Sequence, residues 1–198
     1  LNSGANKKGG CCAFFALTDF ESKLMKTDRL ILRDWTDNDL EPFAELNADP
    51  EVMEFFPSVL SRSESDELAR AIRNKIRIEG WGPWAVELRS SGEFIGVVGL
   101  QKTNMALPFS PSVEVAWRLA KAYWGNGYAT EAATASLSYA TNTLNINQVV
   151  SFTAKVNTRS QAVMKKIGMY SAGYEFDHPD VPIDSPLCRH VLYKIDFN

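Results

Sequence analysis

Cysteine and histidine are both scarce in this sequence. Its 198 residues include three cysteines, of which Cys11 and Cys12 are adjacent, and only two histidines. An odd cysteine count with a neighbouring pair does not fit a disulfide framework, which favours a reducing, cytoplasmic environment. His178 and His190 do not belong to a spaced set of metal ligands, so no bound metal is expected.

Long apolar runs and an excess of positive charge are also missing. No stretch approaches the roughly 20 apolar residues that a membrane-spanning helix needs, so no membrane partner is expected. The formal net charge is −3, whereas nucleic-acid binders are more often basic, so no direct nucleic-acid partner is expected either. With 45% hydrophobic residues, the chain can bury a substantial core.

The first 24 residues differ in character from the rest of the chain. Lys7 and Lys8 precede a short apolar stretch, but no clear signal-peptide cleavage site follows. Strand-like patterning begins abruptly at Met25. We therefore expect residues 1–24 to be an extension, flexible or added by cloning, and residues 25–198 to form one folded domain.

Hydrophobic periodicity predicts a series of strands and helices along this domain. The predicted strands cover residues 29–33, 84–88, 94–100, 113–118, 149–154 and 187–195. The predicted helices begin near Asn38 or Asp39, at the Ser61 capping box, after Gly127 and at Asn157, and they end at Asp49-Pro50, at Gly80, near Tyr139 and at Gly168. This order predicts an α+β fold with a mixed sheet.

A glycine-containing turn at residues 124–129 joins a strand directly to an alanine-rich helix. The first N–H groups of a helix have no internal partner and the helix dipole is positive there, so this turn predicts a phosphate or pyrophosphate site. A tight turn that needs positive φ at Gly125 and Gly127 is the alternative interpretation. Thr130 occupies the last position of G-x-G-x-x-G and no Walker lysine follows, so neither standard nucleotide motif is complete.

Four pieces of the sequence together resemble the GNAT superfamily of acetyl-CoA-dependent N-acetyltransferases, and most closely its RimJ/RimL-like branch. They are TDRLILRDW, EFIGVVGL, EVAWRLAKAYWGNGYATEA and NTRSQAVMKKIGM. The resemblance implies a single domain with a mostly antiparallel mixed sheet flanked by helices. It also implies transfer of an acetyl group from acetyl-CoA to a primary amine, on a protein N-terminus or a small molecule, within a ternary complex. A non-catalytic acyl-CoA-binding sensor or scaffold is the alternative, and a homodimer is one possible assembly.

The same resemblance implies which residues bind acetyl-CoA. The strand before the turn would bind the pantetheine arm through Trp117, Arg118 and Leu119, and the turn would bind the pyrophosphate through Trp124, Gly125, Asn126, Gly127, Tyr128, Ala129 and Thr130. Asn157 would contact the pantetheine region, although it is also a favoured N-cap residue. Met164 stands where many members carry a tyrosine acid, so the general acid is not identified.

Two residues are candidates for the proton transfers. Glu114, on the strand that leads to the turn, is the candidate general base, and a surface carboxylate is its alternative interpretation. Ser160 is the candidate donor to the departing thiolate or to the cofactor, and helix capping is its alternative. Tyr128 and Tyr193 remain further candidate acids.

The acceptor side has the weakest sequence signal. The resemblance implies a strand irregularity that frees a backbone N–H near Ala116 or Trp117 for the carbonyl oxygen. Arg189 and His190 are candidates for shaping an acceptor pocket with two tryptophans, for which core packing is the alternative. These tryptophans are Trp81 and Trp84. The negative net charge hints at a cationic acceptor, but no motif identifies it.

Overall fold

A computed structural model describes residues 24–103 and 106–197, so the expected extension lies, except for Leu24, outside the described residues. The strands are β1 (Met25–Lys26), β2 (Leu30–Arg33), β3 (Pro83–Leu88), β4 (Phe94–Thr103), β5 (Ser112–Leu119), β6 (Gln148–Ala154), β7 (Tyr170–Asp177) and β8 (Arg189–Asp196). The α-helices are α1 (Leu40–Ala48), α2 (Arg62–Glu79), α3 (Tyr128–Asn142) and α4 (Thr158–Lys166).

All eight strands of the described chain form one sheet in the order β1-β2-β3-β4-β5-β6-β8-β7. Neighbouring strands are antiparallel except for β5 and β6, which are parallel. A parallel neighbour needs a crossover, and α3 provides it between these two strands. The predicted α+β fold with a mixed, mostly antiparallel sheet flanked by helices is therefore confirmed.

The helices cover two opposite faces of the sheet, and strand alternation identifies which residues face which layer. Trp117 lies opposite Val98, which in turn lies opposite Trp84, and Trp84 packs edge-on against Tyr139 of α3 at 5.2 Å. The next residue, Arg118, faces the other way and contacts Asn47 of α1. Consequently β5 presents one set of side chains to α3 and α4 and the alternate set to α1 and α2.

Helix boundaries follow the local signals in the sequence. Ser61 and Glu64 form the predicted capping box of α2, and Gly80 ends this helix with φ of 75°. A short 3₁₀ helix at Asp37–Asp39 precedes α1, because Pro42 requires the first α-helical turn to begin near Asp39. None of the helices in the described ranges is both long and apolar enough to span a membrane.

The C-terminal hairpin departs from a simple period-two pattern. β7 pairs with β8, but its register shifts between Ser171 and Glu175, where Gly173 adopts φ of 82°. A bulge of this kind interrupts the alternation of inward and outward side chains. Hydrophobic periodicity therefore predicts bounds for β8 but not for β7.

Candidate active site

β5 and β6 separate along most of their length. In the described chain their ladder pairing is confined to one register, Glu114 opposite Val150. The β4–β5 ladder, by contrast, is regular from Gly96–Leu119 to Thr103–Ser112. The irregularity expected near Ala116 or Trp117 is therefore not a bulge against β4. It is the loss of β6 pairing, which leaves one edge of β5 without a partner strand.

A cavity of about 720 Å³ occupies this gap and reaches both faces of the sheet. At one end it is lined by the turn before α3 and at the other by residues between α1 and α2. Its lining includes Val52, Phe56, Trp117, Arg118, Leu119, Trp124, Gly125, Gly127, Tyr128, Ala129, Thr130, Phe152, Asn157, Arg159, Ser160, His178, Asp180 and His190. Ten of the eleven predicted cofactor-binding residues thus lie together.

The turn before α3 presents unused main-chain donors to the cavity. Gly125 and Gly127 have φ of 78° and 81°, so the conformation that the turn needs is the one that glycine adopts without strain. The six N–H groups of residues 125–130 donate no hydrogen bond to any described residue, and the first helical donor with a partner is Glu131. This arrangement suits an anion at the positive end of α3.

Asn126 supports the turn rather than lining the cavity. Its side-chain amide donates to the carbonyl oxygens of Tyr123 and Trp124, at 3.3 and 3.1 Å. Its own carbonyl accepts a hydrogen bond from Arg29 at 2.9 Å. The Asn126 side chain therefore shapes the loop, and its predicted contact with the cofactor falls to its main-chain N–H.

Arg29 and Glu131 anchor this loop to β2, a role that the sequence patterns did not reveal. Arg29 Nε donates to Glu131 Oε2 at 2.7 Å and its guanidinium lies 4.6 Å from the Tyr128 ring centroid. Thr27 donates to the other carboxylate oxygen at 2.6 Å. Although partial burial opposes the effect, hydrogen bonds from Thr27 and Arg29 lower the pKa of Glu131. The sequence feature that could have pointed to this contact is the presence of two motifs, TDR and ATEA, that lie about 100 residues apart.

Asn157 and Ser160 both line the cavity, and Asn157 is the N-cap of α4. Asn157 Oδ1 accepts from the backbone N–H of Ser160 at 3.1 Å, and its Nδ2 donates to Thr153 Oγ1 and to Ser160 Oγ. The N-cap interpretation of Asn157 is therefore confirmed, and its contact with the cofactor stays a prediction. Since the Ser160 hydroxyl accepts this bond, its own hydrogen remains available to an acceptor in the cavity.

Glu114 is a buried carboxyl group beside the cavity, not a surface carboxylate and not part of the cavity wall. Gln101 Nε2 donates to it at 2.8 Å from the neighbouring strand. Burial raises the pKa of Glu114 to about 7, opposed by the Gln101 hydrogen bond and by the charge of Lys75. Burial thus brings the pKa of this carboxyl group into the neutral range.

A histidine pair lies in the cavity wall. The rings of His178 and His190 are 4.8 Å apart, and His190 also packs near Phe152 and Phe176. His190 Nδ1 lies 3.0 Å from the Cys188 carbonyl oxygen, so Nδ1 carries the proton of the neutral ring and Nε2 is free to accept one. Burial lowers the pKa of both histidines, which keeps them neutral. No sequence signal pointed to His178.

The other predicted acceptor residues lie elsewhere. Trp81 and Trp84 are buried in the main core, as the alternative interpretation held. Arg189 pairs with Glu175 and Asp177 at the surface, at 3.1 Å from each. Of the proposed pocket residues, His190 alone contributes to the wall of this cavity within the described chain.

Among the further candidate acids, only Tyr128 lines this cavity in the part of the chain that the structure describes. Tyr193 is buried in the main core, where its hydroxyl lies 3.5 Å from the Gln161 side-chain oxygen. Met164 is likewise almost fully buried. Because Tyr123 also lines the cavity, a tyrosine acid from its wall would be either Tyr123 or Tyr128.

Two exposed ion pairs link the segment at residues 49–61 to the opposite rim of the cavity. Lys121 pairs with Glu51 at 2.6 Å, and Arg159 pairs with Glu54. Arg159 also lies over the Trp124 ring, at 4.7 Å from its centroid. Each of the paired side chains is about half exposed, so these contacts position the rim without adding much stability.

Comparison with known proteins gives a consistent result. A family described as acetyltransferase (GNAT) domain matches residues 29–170. The uncharacterized N-acetyltransferase YnaD of Bacillus subtilis is 30% identical over 148 residues, which cover 75% of this chain and 83% of that protein.

Solved structures show the same relationship at the level of the fold. An acetyltransferase of the GNAT family from Bacillus anthracis superposes with a TM-score of 0.73 and 25% identity, covering 87% of this chain and 98% of that one. RimL, a ribosomal L7/L12 α-N-protein acetyltransferase solved with coenzyme A, superposes with a TM-score of 0.70, covering 88% and 98%. At 15% identity, the RimL likeness concerns the fold alone.

Proposed function

The chain belongs to the GNAT acetyltransferase family and is an acetyl-CoA-dependent acetyltransferase, and we propose that it acetylates a primary amine by direct transfer in a ternary complex. The observation that carries this proposal is the set of six free main-chain amides at the mouth of a cavity that crosses the sheet. A cofactor bound from the α3 side can therefore meet an acceptor on the α1 side.

The described residues fit coenzyme A in two places. The amides of residues 125–130 would hold its pyrophosphate, and the unpaired edge of β5 at Trp117 and Leu119 would hold the amide groups of its pantetheine arm. When bound, acetyl-CoA supplies an activated thioester, so the chain needs no nucleophile of its own. What remains for the protein is to position the amine, to remove its proton and to assist the thiolate.

Glu114 is our proposed general base. A pKa of about 7 is close to the operating pH and to the 7.7–8.0 typical of an α-amino group, whereas a lysine amine near 10.4 would demand a larger deprotonation cost. Because Glu114 lies behind the cavity wall, proton transfer to it needs a relay, for which a water molecule suffices.

His190 is a second candidate for the base, favoured by its place in the cavity wall. Its Nε2 is an acceptor at neutral pH, and no relay is required if the amine reaches it. Ser160 is the proposed donor to the departing thiolate, because its hydroxyl hydrogen is not used by Asn157.

Thermal shift and turnover measurements test the proposal. Coenzyme A should stabilise the protein while ATP should not, and thiol release from acetyl-CoA should require a primary amine such as a peptide N-terminus or a small amine. Stabilisation by ATP alone would contradict the proposal. Binding of coenzyme A without turnover across a broad amine panel would instead favour the sensor alternative.

The two candidate bases are separated by matched isosteric variants. We expect E114Q to lose turnover with coenzyme A binding retained, whereas H190Q should keep most of the turnover if Glu114 is the base. The reverse result assigns the proton transfer to His190. S160A should lower turnover in either case.

A further inference from the structure

Arg118 places a guanidinium group in the cavity wall on the side of α1 and α2. Its Nη1 donates to Oδ1 of Asn47, and its guanidinium carbon lies 4.1 Å from the centroid of the Phe56 ring. Asn47 is fully buried, and its Nδ2 donates to Ser65 Oγ at 2.8 Å, which turns Oδ1 toward Arg118. Two helices thus hold the guanidinium in one orientation.

This charge has no acidic partner in residues 24–103 and 106–197. No carboxylate oxygen of the described chain lies within ion-pair distance of Arg118, and Nε is buried without a hydrogen-bond partner. Burial lowers the pKa of Arg118 to about 10. By contrast, Arg33 on the same face of the sheet is paired with both Asp39 and Glu87 at 2.7 Å. Arg118 is partly buried and lines the cavity, and a partly desolvated cation without an ion-pair partner favours an anion beside it.

We propose that the acceptor amine carries a carboxylate group and that Arg118 binds it; this inference rests on the proposed function. Asn47 occupies Nη1, so Nε and Nη2 remain as neighbouring N–H groups on one edge of the guanidinium. That edge matches the two oxygens of a carboxylate. The carboxylate comes either from an amino acid with a free α-carboxyl group or from an acidic side chain near a peptide N-terminus.

The phosphate groups of coenzyme A are not the anion that this site takes. Strand alternation directs the Trp117 side chain toward α3 and the Arg118 side chain toward α1. The free amides of residues 125–130 lie at the start of α3, on the face of the sheet opposite to the Arg118 side chain. The guanidinium therefore lies on the acceptor side of the β5–β6 gap. In this proposal Trp117 and Leu119 bind the cofactor through their main chain, and Arg118 between them binds the acceptor through its side chain.

Matched acceptor pairs test the inference. Each pair differs only in the carboxylate: alanine against alaninamide, and peptide amides with Glu against Gln at the second residue. Wild type, R118Q and the control R73Q are compared, since Arg73 is an exposed α2 residue paired with Asp37. Because amine pKa differs within the first pair, the measured quantity is the carboxylate-to-amide ratio of kcat/KM in each variant relative to wild type.

We expect R118Q to reduce this ratio by on the order of 10- to 100-fold, the range for a lost hydrogen bond to a charged group. The loss should lie in the acceptor KM, with the dissociation constant of coenzyme A unchanged, and R73Q should behave as wild type. A preference confined to the amino-acid pair or to the peptide pair identifies the source of the carboxylate.

Equal ratios in wild type and R118Q would overturn the inference, and so would a loss of coenzyme A affinity in R118Q, because the anion would then be a cofactor phosphate. If no amine is acetylated at all, the proposed function fails and calorimetry decides the inference separately. Carboxylate-selective binding of the same acceptors to the CoA-loaded protein, lost in R118Q, would sustain it, and unselective binding would refute it.

Discussion

The two ends of the cavity are built by different means. At the α3 end the wall consists of main-chain amides, and Arg29 and Glu131 only hold the loop that presents them. At the α1 end the wall consists of side chains, among them Arg118, Phe56 and the histidine pair. Main-chain amides can bind a phosphate almost regardless of which side chains their residues carry. A wall made of side chains is instead specific to one acceptor. The comparison explains why the first end carries a family motif and the second does not.

The largest expected effect is at the main-chain end. G127V places a β-branched residue at φ of 81° and adds bulk beside the free amides, so we expect the dissociation constant of coenzyme A to rise about tenfold or more. G92V is the matched control, because Gly92 has φ of 74° in the turn after β3 with open space around it. Both variants should lose stability, and an equal loss of coenzyme A affinity in G92V would break the comparison.

Glu114 lies between the two ends of the cavity, and its raised pKa should make the stability of the protein depend on pH. Between about pH 4.5 and 7 its carboxyl is ionised in the unfolded chain and protonated in the folded one. Relative to E114Q, the free energy of unfolding of wild type should therefore fall by about 2–3 kcal/mol as pH rises through this interval. Above it the difference should level off. Melting temperatures of both proteins from pH 4.5 to 9 measure the difference. A constant difference across this range would show that Glu114 ionises normally.

The loop anchor should give a smaller effect than the loop itself. E131Q keeps the shape of the side chain but removes the charge that pairs with Arg29, so we expect coenzyme A affinity to fall about threefold to tenfold. Because the pKa of Glu131 is lowered, its contribution to stability is present above its usual pKa and is lost as pH falls through the lowered value. Wild type and E131Q should thus converge in acid. The surface variant E93Q serves as control, and full affinity in E131Q would show that the loop holds itself.

The smallest effect is expected for the link between the two ends. E51Q removes the ion pair with Lys121, in which both side chains are more than half exposed. Such pairs contribute little, so we expect changes within about twofold in the KM of acetyl-CoA and of the acceptor. A much larger change in either KM would mean that the rim segment at residues 49–61 determines binding at that end.

Most of the fold and the main-chain end of the cavity could be predicted from the sequence. The sign of φ at Gly127, the free donors of a helix start and the capping box at Ser61 depend on residues that are neighbours in the chain. Local periodicity places most strands for the same reason. β7 escaped explicit bounds because its bulge at Gly173 interrupts that periodicity.

The tertiary structure alone decided the side-chain end of the cavity. The burial of Glu114, the unpaired charge of Arg118 against Asn47 and the meeting of His178 with His190 arise where separate elements pack together. The gap between β5 and β6 also arises from packing. The sequence pattern of one strand does not indicate where its neighbour fails to pair with it. Desolvation and long-range pairing are properties of the packed chain, whereas backbone conformation and capping are properties of its neighbouring residues.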